Sequence, residues 1–311
     1  MSSPFFNFSS VKGVILDWDG VIAETRLDFG PIRDKYFGGK RVPLIEAWEK
    51  MDEPLRSQFM GEICAEEMRG ASVSFEVEGI RDLIALLDGR GIKWCIHSRN
   101  CLDSILLAAK TIGFKLPPHT FSREAKHVKP DPRAMLDAAA AMDVPAANCL
   151  VVGDFLYELI AARRGGIRCA LVREDDSECV NLADAVFERI ELLTSAIKDG
   201  LEVVPWEYKR CAKLRGKGCI EKNYARVVHF DPEFSTKTMD ALFALASSGL
   251  GHITVDGMRR VTIGEIENTP LLNICNLEIP AVEALKNILT PHFPLLDISE
   301  GTSGEPFSTC L

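Results

Sequence analysis

No stretch of this chain approaches the ~20 consecutive apolar residues of a membrane span. Residues 1–12 have no basic start followed by an apolar core, so a secretory signal is not expected either. Positive charge is in deficit: 36 Lys and Arg against 45 Asp and Glu give a formal net charge of -9. That balance argues against generic binding to nucleic acid or anionic membranes, although it permits a local basic patch. There are ten cysteines but no CxxC pair. Cys95, Cys149 and Cys169 sit inside apolar runs, as small buried thiols do. A disulfide framework is therefore the weaker reading, and a reducing, cytoplasmic setting is expected. What remains is the composition of an ordinary globular protein, 311 residues long, enough for a sizeable core and two domains.

The organising stretch is residues 13–22, Gly-Val-Ile-Leu-Asp-Trp-Asp-Gly-Val-Ile. Its short Val- and Ile-rich run reads as a buried strand, ended by Asp19-Gly20. Side chains two apart on a strand point the same way, so Asp17 and Asp19 face one site while Trp18 turns away. Two carboxylates this close repel unless a cation or a shared proton intervenes.

After this strand a polar insertion runs over 24–78, with helices expected at 43–51 and 54–69. Strands then alternate with helices: helix 80–88, strand 92–97, helix 102–112 closed by Gly113, strand 119–121 and helix 132–142. Strand 149–152, helix 156–164, strand 169–172, strand 185–187 and a helix to 198 complete the region. The alternation predicts an α/β fold: a Rossmann-like parallel sheet with helices on both faces. Ligands bind such sheets beyond the carboxyl ends of the strands. Ser98 and Asn100 follow one strand, and Gly153-Asp154 follows another, with Glu158 four residues on. Lys129 is held in a Pro-bracketed turn, Lys-Pro-Asp-Pro. Taken singly, each of these is a helix cap, a solvated lysine or an ordinary turn.

Together and in order, Asp17-Trp-Asp19-Gly-Val21, Ser98, Lys129 and Gly153-Asp154-xxx-Glu158 resemble the haloacid dehalogenase-like hydrolase superfamily. The resemblance covers residues 10–198 and is closest to a phosphatase branch with a small helical cap after the first strand. It implies that Asp17 is the nucleophile that takes the phosphoryl group, and that Asp19 is the general acid and base. It implies that Ser98, Asn100 and Lys129 bind phosphate, and that Asp17, the Asp19 carbonyl and Asp154 hold Mg²⁺. Glu158 stands where many members have Asp, and its longer side chain would reach the metal's water shell. The second aspartate, Asp19, argues against carbon–halogen cleavage and phosphonate hydrolysis. A phosphomutase shares the first motif, but the short cap leaves little room for a sugar-sized lid.

The expected function is a Mg²⁺-dependent phosphatase acting on a small phosphorylated metabolite. A regulatory or scaffolding protein with a weakly active phosphatase-like domain is the alternative. Arg26, Arg33, Lys35, Lys40 and Arg41 crowd the first half of the cap, where one or two can meet a second anionic group; Gly38-Gly39 would let that segment move.

Domains are expected at 1–200 and 201–311, joined by a basic linker near 208–222. No aromatic platform accompanies that linker, so RNA reading is not expected. The second domain reads as a small α+β module. Its expected elements are strand 226–230, helix 238–247, a hairpin around Asp256-Gly257, strand 271–276, helix 280–289 and strand 294–299. It would serve dimerisation or substrate choice. His229, His252 and His292 are isolated and read as structural, and 301–311 reads as a mobile tail.

Overall fold

A parallel strand must be covered on both faces, and the apolar runs of this chain are built for that. The computed structural model describes residues 3–172 and 177–307. Six strands form one sheet: β1 (Gly13–Leu16), β2 (Lys93–His97), β3 (Thr120–Phe121), β4 (Cys149–Gly153), β5 (Arg168–Val172) and β6 (Ala185–Phe187). Their spatial order is β3-β2-β1-β4-β5-β6, and every neighbouring pair is parallel. Successive side chains alternate between faces. Val14, Leu16, Ile96, Val152 and Val172 enter one core cluster, with Leu83, Ile105 and Leu193 from the helices that cover it. Ile15, Cys95, Val151, Cys169 and Leu171 enter the other, under Met135, Ala138 and Leu159. Full burial of each Val, Leu, Ile or Met side chain among them contributes about 1.5–3 kcal/mol. The covering helices are α4 (Ile80–Gly89), α5 (Leu102–Ile112) and Ile190–Asp199 on the first face, and α6 (Pro132–Ala141) and α7 (Leu156–Arg164) on the second.

The cap leaves the sheet just after β1 through a two-stranded antiparallel neck, Ala23–Glu24 against Phe75–Glu76. Beyond it lie α1 (Gly30–Phe37), α2 (Leu44–Trp48) and α3 (Leu55–Ser72). Helix α2 falls within the first expected stretch, and α3 matches the second but runs on to Ser72, past its expected end at 69. Helix α1 was not expected, although its signals are there: Pro31 in the first turn and Gly38 in the left-handed conformation at its end. Ile32, Leu44, Phe59 and Ile63 form the cap's own small core.

The C-terminal part is a second, separate sheet with its own core. Four strands, β7 (Val227–His229), β8 (His252–Val255), β9 (Asp297–Glu300) and β10 (Glu305–Pro306), lie in the order β9-β8-β7-β10, all parallel. The hairpin expected at Asp256-Gly257 does not form, because parallel strands already occupy both edges of β8 and leave no place for an antiparallel return. Instead Asp256 closes a local turn, accepting from the Met258 N–H at 2.8 Å, and the chain continues into helix Ile263–Asn268. The strand expected at 271–276 is irregular, ending in a short 3-10 turn. The basic stretch is not a loop: it forms helices Lys209–Arg215 and Lys217–Tyr224, with Tyr208 and Ile220 buried beneath them. Nor is 301–307 a free tail, since Phe307 is buried against Phe230. Residues 308–311 of that expected tail lie outside the described residues. His252 faces Asp297, and His229 faces Thr254. Among the described residues no helix is long and apolar enough to cross a membrane.

Candidate active site

The order of the large sheet reverses between β1 and β4, and a crevice opens where the connections from adjacent strands run in opposite directions. Asp17 directly follows β1 and Asp154 directly follows β4, so both stand at that crevice. Ser98 and Asn100 follow β2. Lys129 precedes α6, and Glu158 lies in the first turn of α7. Asp17, Asp19, Ser98, Asn100, Lys129 and Asp154 line one cavity of about 240 Å³, together with Glu158. The cap closes its other side with Leu27, Phe29, Arg33, Leu44, Ile45 and Ile63.

Local backbone geometry sets the two aspartates. Trp18 is fully buried in the core, which turns Asp17 and Asp19 to the opposite side. The Asp17 Oδ1 accepts from the Trp18 N–H at 2.7 Å and from the Lys129 Nζ at 2.7 Å. Its position is therefore fixed from two directions. Asp19 is held by neutral donors instead: Asn100 Nδ2 donates to its Oδ2 at 2.6 Å, and the Thr25 hydroxyl donates to Oδ1. Gly20 makes the turn possible. Its φ is +70°, and a Cβ there would lie 1.8 Å from Asp154 Oδ2.

Electrostatics follow from burial. Burial, with Glu158 and Asp154 nearby, pushes the Asp17 carboxyl well above the usual carboxylate range, while Lys129 opposes the shift. Burial likewise raises Asp19 to about 6, against the hydrogen bonds from Thr25 and Asn100. Asp154 rises to about 7 through burial and the neighbouring charges of Glu158 and Asp19. Burial would depress the Lys129 ammonium, but Asp17 and Glu158 together hold it above its ordinary value. Lys129 is 2.5 Å from Glu158 Oε1, and only 1% of its side chain is exposed.

These carboxylates also meet the requirements of a hard cation. One oxygen each from Asp17, Asp154 and Glu158 lie within 4.8 Å of one another. Glu158 Oε2 is buried without a hydrogen-bond partner. An all-oxygen set with an unsatisfied buried acceptor, in which burial and neighbouring charge raise the Asp17 and Asp154 carboxyls, suits a hard divalent cation. Glu158 thus stands among the potential ligand oxygens and is also paired with Lys129. The side chain of Asp19 is outside that trio. Asn100, expected at phosphate, has its amide on Asp19, while Ser98 accepts from the Asn100 N–H at 3.1 Å and keeps its own O–H to donate.

Several supporting residues are not among those the sequence assigns to the site. Arg99 donates to both Glu46 oxygens at 3.0 and 2.8 Å, tying core to α2, and lies 3.9 Å from the Tyr157 ring centroid. Arg123 similarly grips buried Glu67 of α3 at 2.6 and 3.0 Å. Arg99 sits between two expected site residues, which was the available hint; Glu67 and Arg123 become partners only through the fold.

Comparison with known proteins points to one family. Residues 36–166 match the family model of haloacid dehalogenase-like hydrolases. The N-acetylmuramic acid 6-phosphate phosphatase of Pseudomonas aeruginosa is 24% identical over 193 residues, which is 52% of this chain and 82% of that protein. A haloacid dehalogenase-like hydrolase domain-containing protein of Arabidopsis thaliana is 26% identical over 178 residues, covering 52% of this chain and 71% of its own length. Among solved structures, a hydrolase from Pseudomonas syringae aligns with a TM-score of 0.54 at 19% identity, over 60% of this chain and 98% of that one. At that identity the likeness concerns the fold.

Proposed function

We propose, from the premise that this chain carries a haloacid dehalogenase-like hydrolase domain, that it is a Mg²⁺-dependent phosphatase of a small phosphorylated metabolite. One observation carries the reading: two carboxylates two residues apart have been given different environments. Asp17 is gripped by a lysine ammonium and a backbone N–H, whereas Asp19 is held by neutral side-chain donors alone. A pair so divided suits one group to attack and the other to carry a proton.

In this reading an Asp17 oxygen attacks phosphorus and the bond to the leaving oxygen breaks. Asp19 gives its proton to that oxygen. Water then attacks the aspartyl-phosphate and Asp19 takes its proton. The bond between phosphorus and Asp17 breaks, so phosphate leaves and both carboxyls return to their starting states. Lys129 and the Ser98 hydroxyl hold phosphoryl oxygens as charge develops, and Asn100 keeps Asp19 oriented. Asp17, the Asp19 carbonyl and Asp154 would hold the metal, with Glu158 beside them or in its water shell. When bound, Mg²⁺ neutralises the repulsion between carboxylate and phosphate dianion. The buried cysteines Cys95, Cys149 and Cys169 are free thiols, which suits a cytoplasmic enzyme.

The test is hydrolysis of an aryl phosphate with and without Mg²⁺, alongside Asp17→Asn. Turnover that needs Mg²⁺ and falls at least about a thousandfold in the variant is expected. Unchanged turnover in Asp17→Asn would refute the mechanism.

A further inference from the structure

The leaving-group side of the cavity is lined by apolar side chains of the cap, Leu27, Phe29, Leu44, Ile45 and Ile63. Two charged residues of the cap share that lining, Glu67 and Arg33. Glu67 is committed, gripped by Arg123 and accepting from the Cys101 N–H. The other cations around the cavity are committed too: Lys129 to Asp17 and Glu158, and Arg99 to Glu46. Arg33 differs. Among the described residues its side chain has no ion pair or hydrogen bond; its guanidinium faces the Phe29 ring, 5.9 Å from the centroid, and its charge is felt by Tyr157. Its Nε is buried and has no hydrogen-bond partner.

A partly buried guanidinium with an unsatisfied donor costs free energy that an incoming anion recovers. The planar fork of arginine fits a planar oxyanion with two parallel hydrogen bonds. One uncommitted positive charge matches one negative charge, which favours a carboxylate over a second phosphate dianion. The surrounding aliphatic and aromatic surface suits a short carbon chain, and a cavity of about 240 Å³ limits its size.

Resting on the phosphatase reading, we propose that Arg33 reads a carboxylate on the leaving group, so that the substrate is the phosphate ester of a small hydroxy acid. Arg33 is then the specificity-determining residue, placed on α1 so that the cap selects what the sheet hydrolyses. The contact is made before and during phosphoryl transfer, so its loss raises KM far more than it lowers kcat.

The test compares the phosphate ester of 3-hydroxypropanoate with propyl phosphate and with propanediol bisphosphate, using the Mg²⁺-loaded protein. The wild type should favour the acid over propyl phosphate by about 10- to 100-fold in kcat/KM, the range of a charge-assisted hydrogen-bond pair. Arg33→Gln should erase that preference through KM, while Arg33→Lys, which keeps the charge without the fork, should retain part of it. Because no partner is stranded, the thermal midpoint of Arg33→Gln should stay within about 2 °C of wild type or rise. Equal kcat/KM for acid and propyl ester in the wild type, or a preference that survives Arg33→Gln, would overturn the assignment. A bisphosphate preferred over the acid would overturn the choice of a monoanion. If the wild type hydrolysed neither these esters nor an aryl phosphate, the phosphatase reading itself would fall, and this one with it.

Discussion

Lys129 is the point at which stability and the proposed catalysis meet in one side chain. Its ammonium is almost wholly buried, 2.7 Å from Asp17 Oδ1 and 2.5 Å from Glu158 Oε1. With an effective dielectric of about 20, each unit-charge pair near 4 Å contributes roughly 4 kcal/mol of attraction, from which the cost of burying the lysine must be subtracted. Lys129→Met keeps most of the apolar stem and removes the charge. It strands two buried carboxylates, and breaking buried pairs in this way costs about 3–5 kcal/mol. Urea unfolding at pH 7.5 without divalent cations measures it directly. The decisive comparison is Lys129→Met with Glu158→Gln added. If mutual neutralisation sets the energetics, the second change removes one of the stranded charges, and the double variant should regain about 1–2 kcal/mol over Lys129→Met alone. Turnover should remain lost in both, since neither restores a cation at the phosphoryl oxygens. A loss below about 1 kcal/mol for Lys129→Met, or strictly additive losses in the double variant, would refute the claim that this triad is held by charge compensation.

Gly20→Ala should fail for two reasons that meet at one atom. The added Cβ would overlap Asp154 Oδ2, and φ of +70° disfavours an L side chain, so about 1–3 kcal/mol of stability is lost. Titration calorimetry should also show weakened Mg²⁺ binding, and normal binding would mean that Asp154 does not help to hold the metal. The metal-free protein should further have an unusual pH profile. The Asp19 carboxyl has its folded value raised to about 6, so it binds more protons folded than unfolded between about pH 4 and 6. Its favourable contribution is complete below about pH 4 and is lost as pH rises through 6, by up to about 3 kcal/mol. Asp17 and Asp154 shift in the same direction and add to the slope. Chemical denaturation between pH 4 and 8 should show stability falling with pH, a slope that Mg²⁺ flattens. Stability that instead rose with pH across this range would contradict the raised carboxyls.

The parts legible in the sequence were those fixed by local rules. Strands β1, β2, β4 and β5 announced themselves because a parallel strand buried on both faces leaves an uninterrupted apolar run, and the residues after those runs had to lie at one edge of the sheet. Asp17, Ser98 and Asp154 could be placed together for that reason, before any distance was known. The C-terminal part misled where a local rule was overruled from a distance. Asp256-Gly257 favours a hairpin in isolation, but β8 already has β7 and β9 on its edges, and nothing near residue 256 records that. Phe307 reads as part of a polar tail because its partners, Phe230 and the core around it, lie some 75 residues earlier in the chain. The cap shows the same limit in the site itself. Five basic residues between 26 and 41 were equivalent as sequence, and only packing tells them apart. Lys35 is taken by Glu62, whereas Arg33 is left facing the cavity with an unsatisfied nitrogen. The proposed catalytic residues have positions that the sheet dictates, so they are legible from strand ends. The residue proposed to choose the substrate, Arg33, is one that the fold leaves without a partner, and partnerlessness is a property of the assembled molecule rather than of any segment.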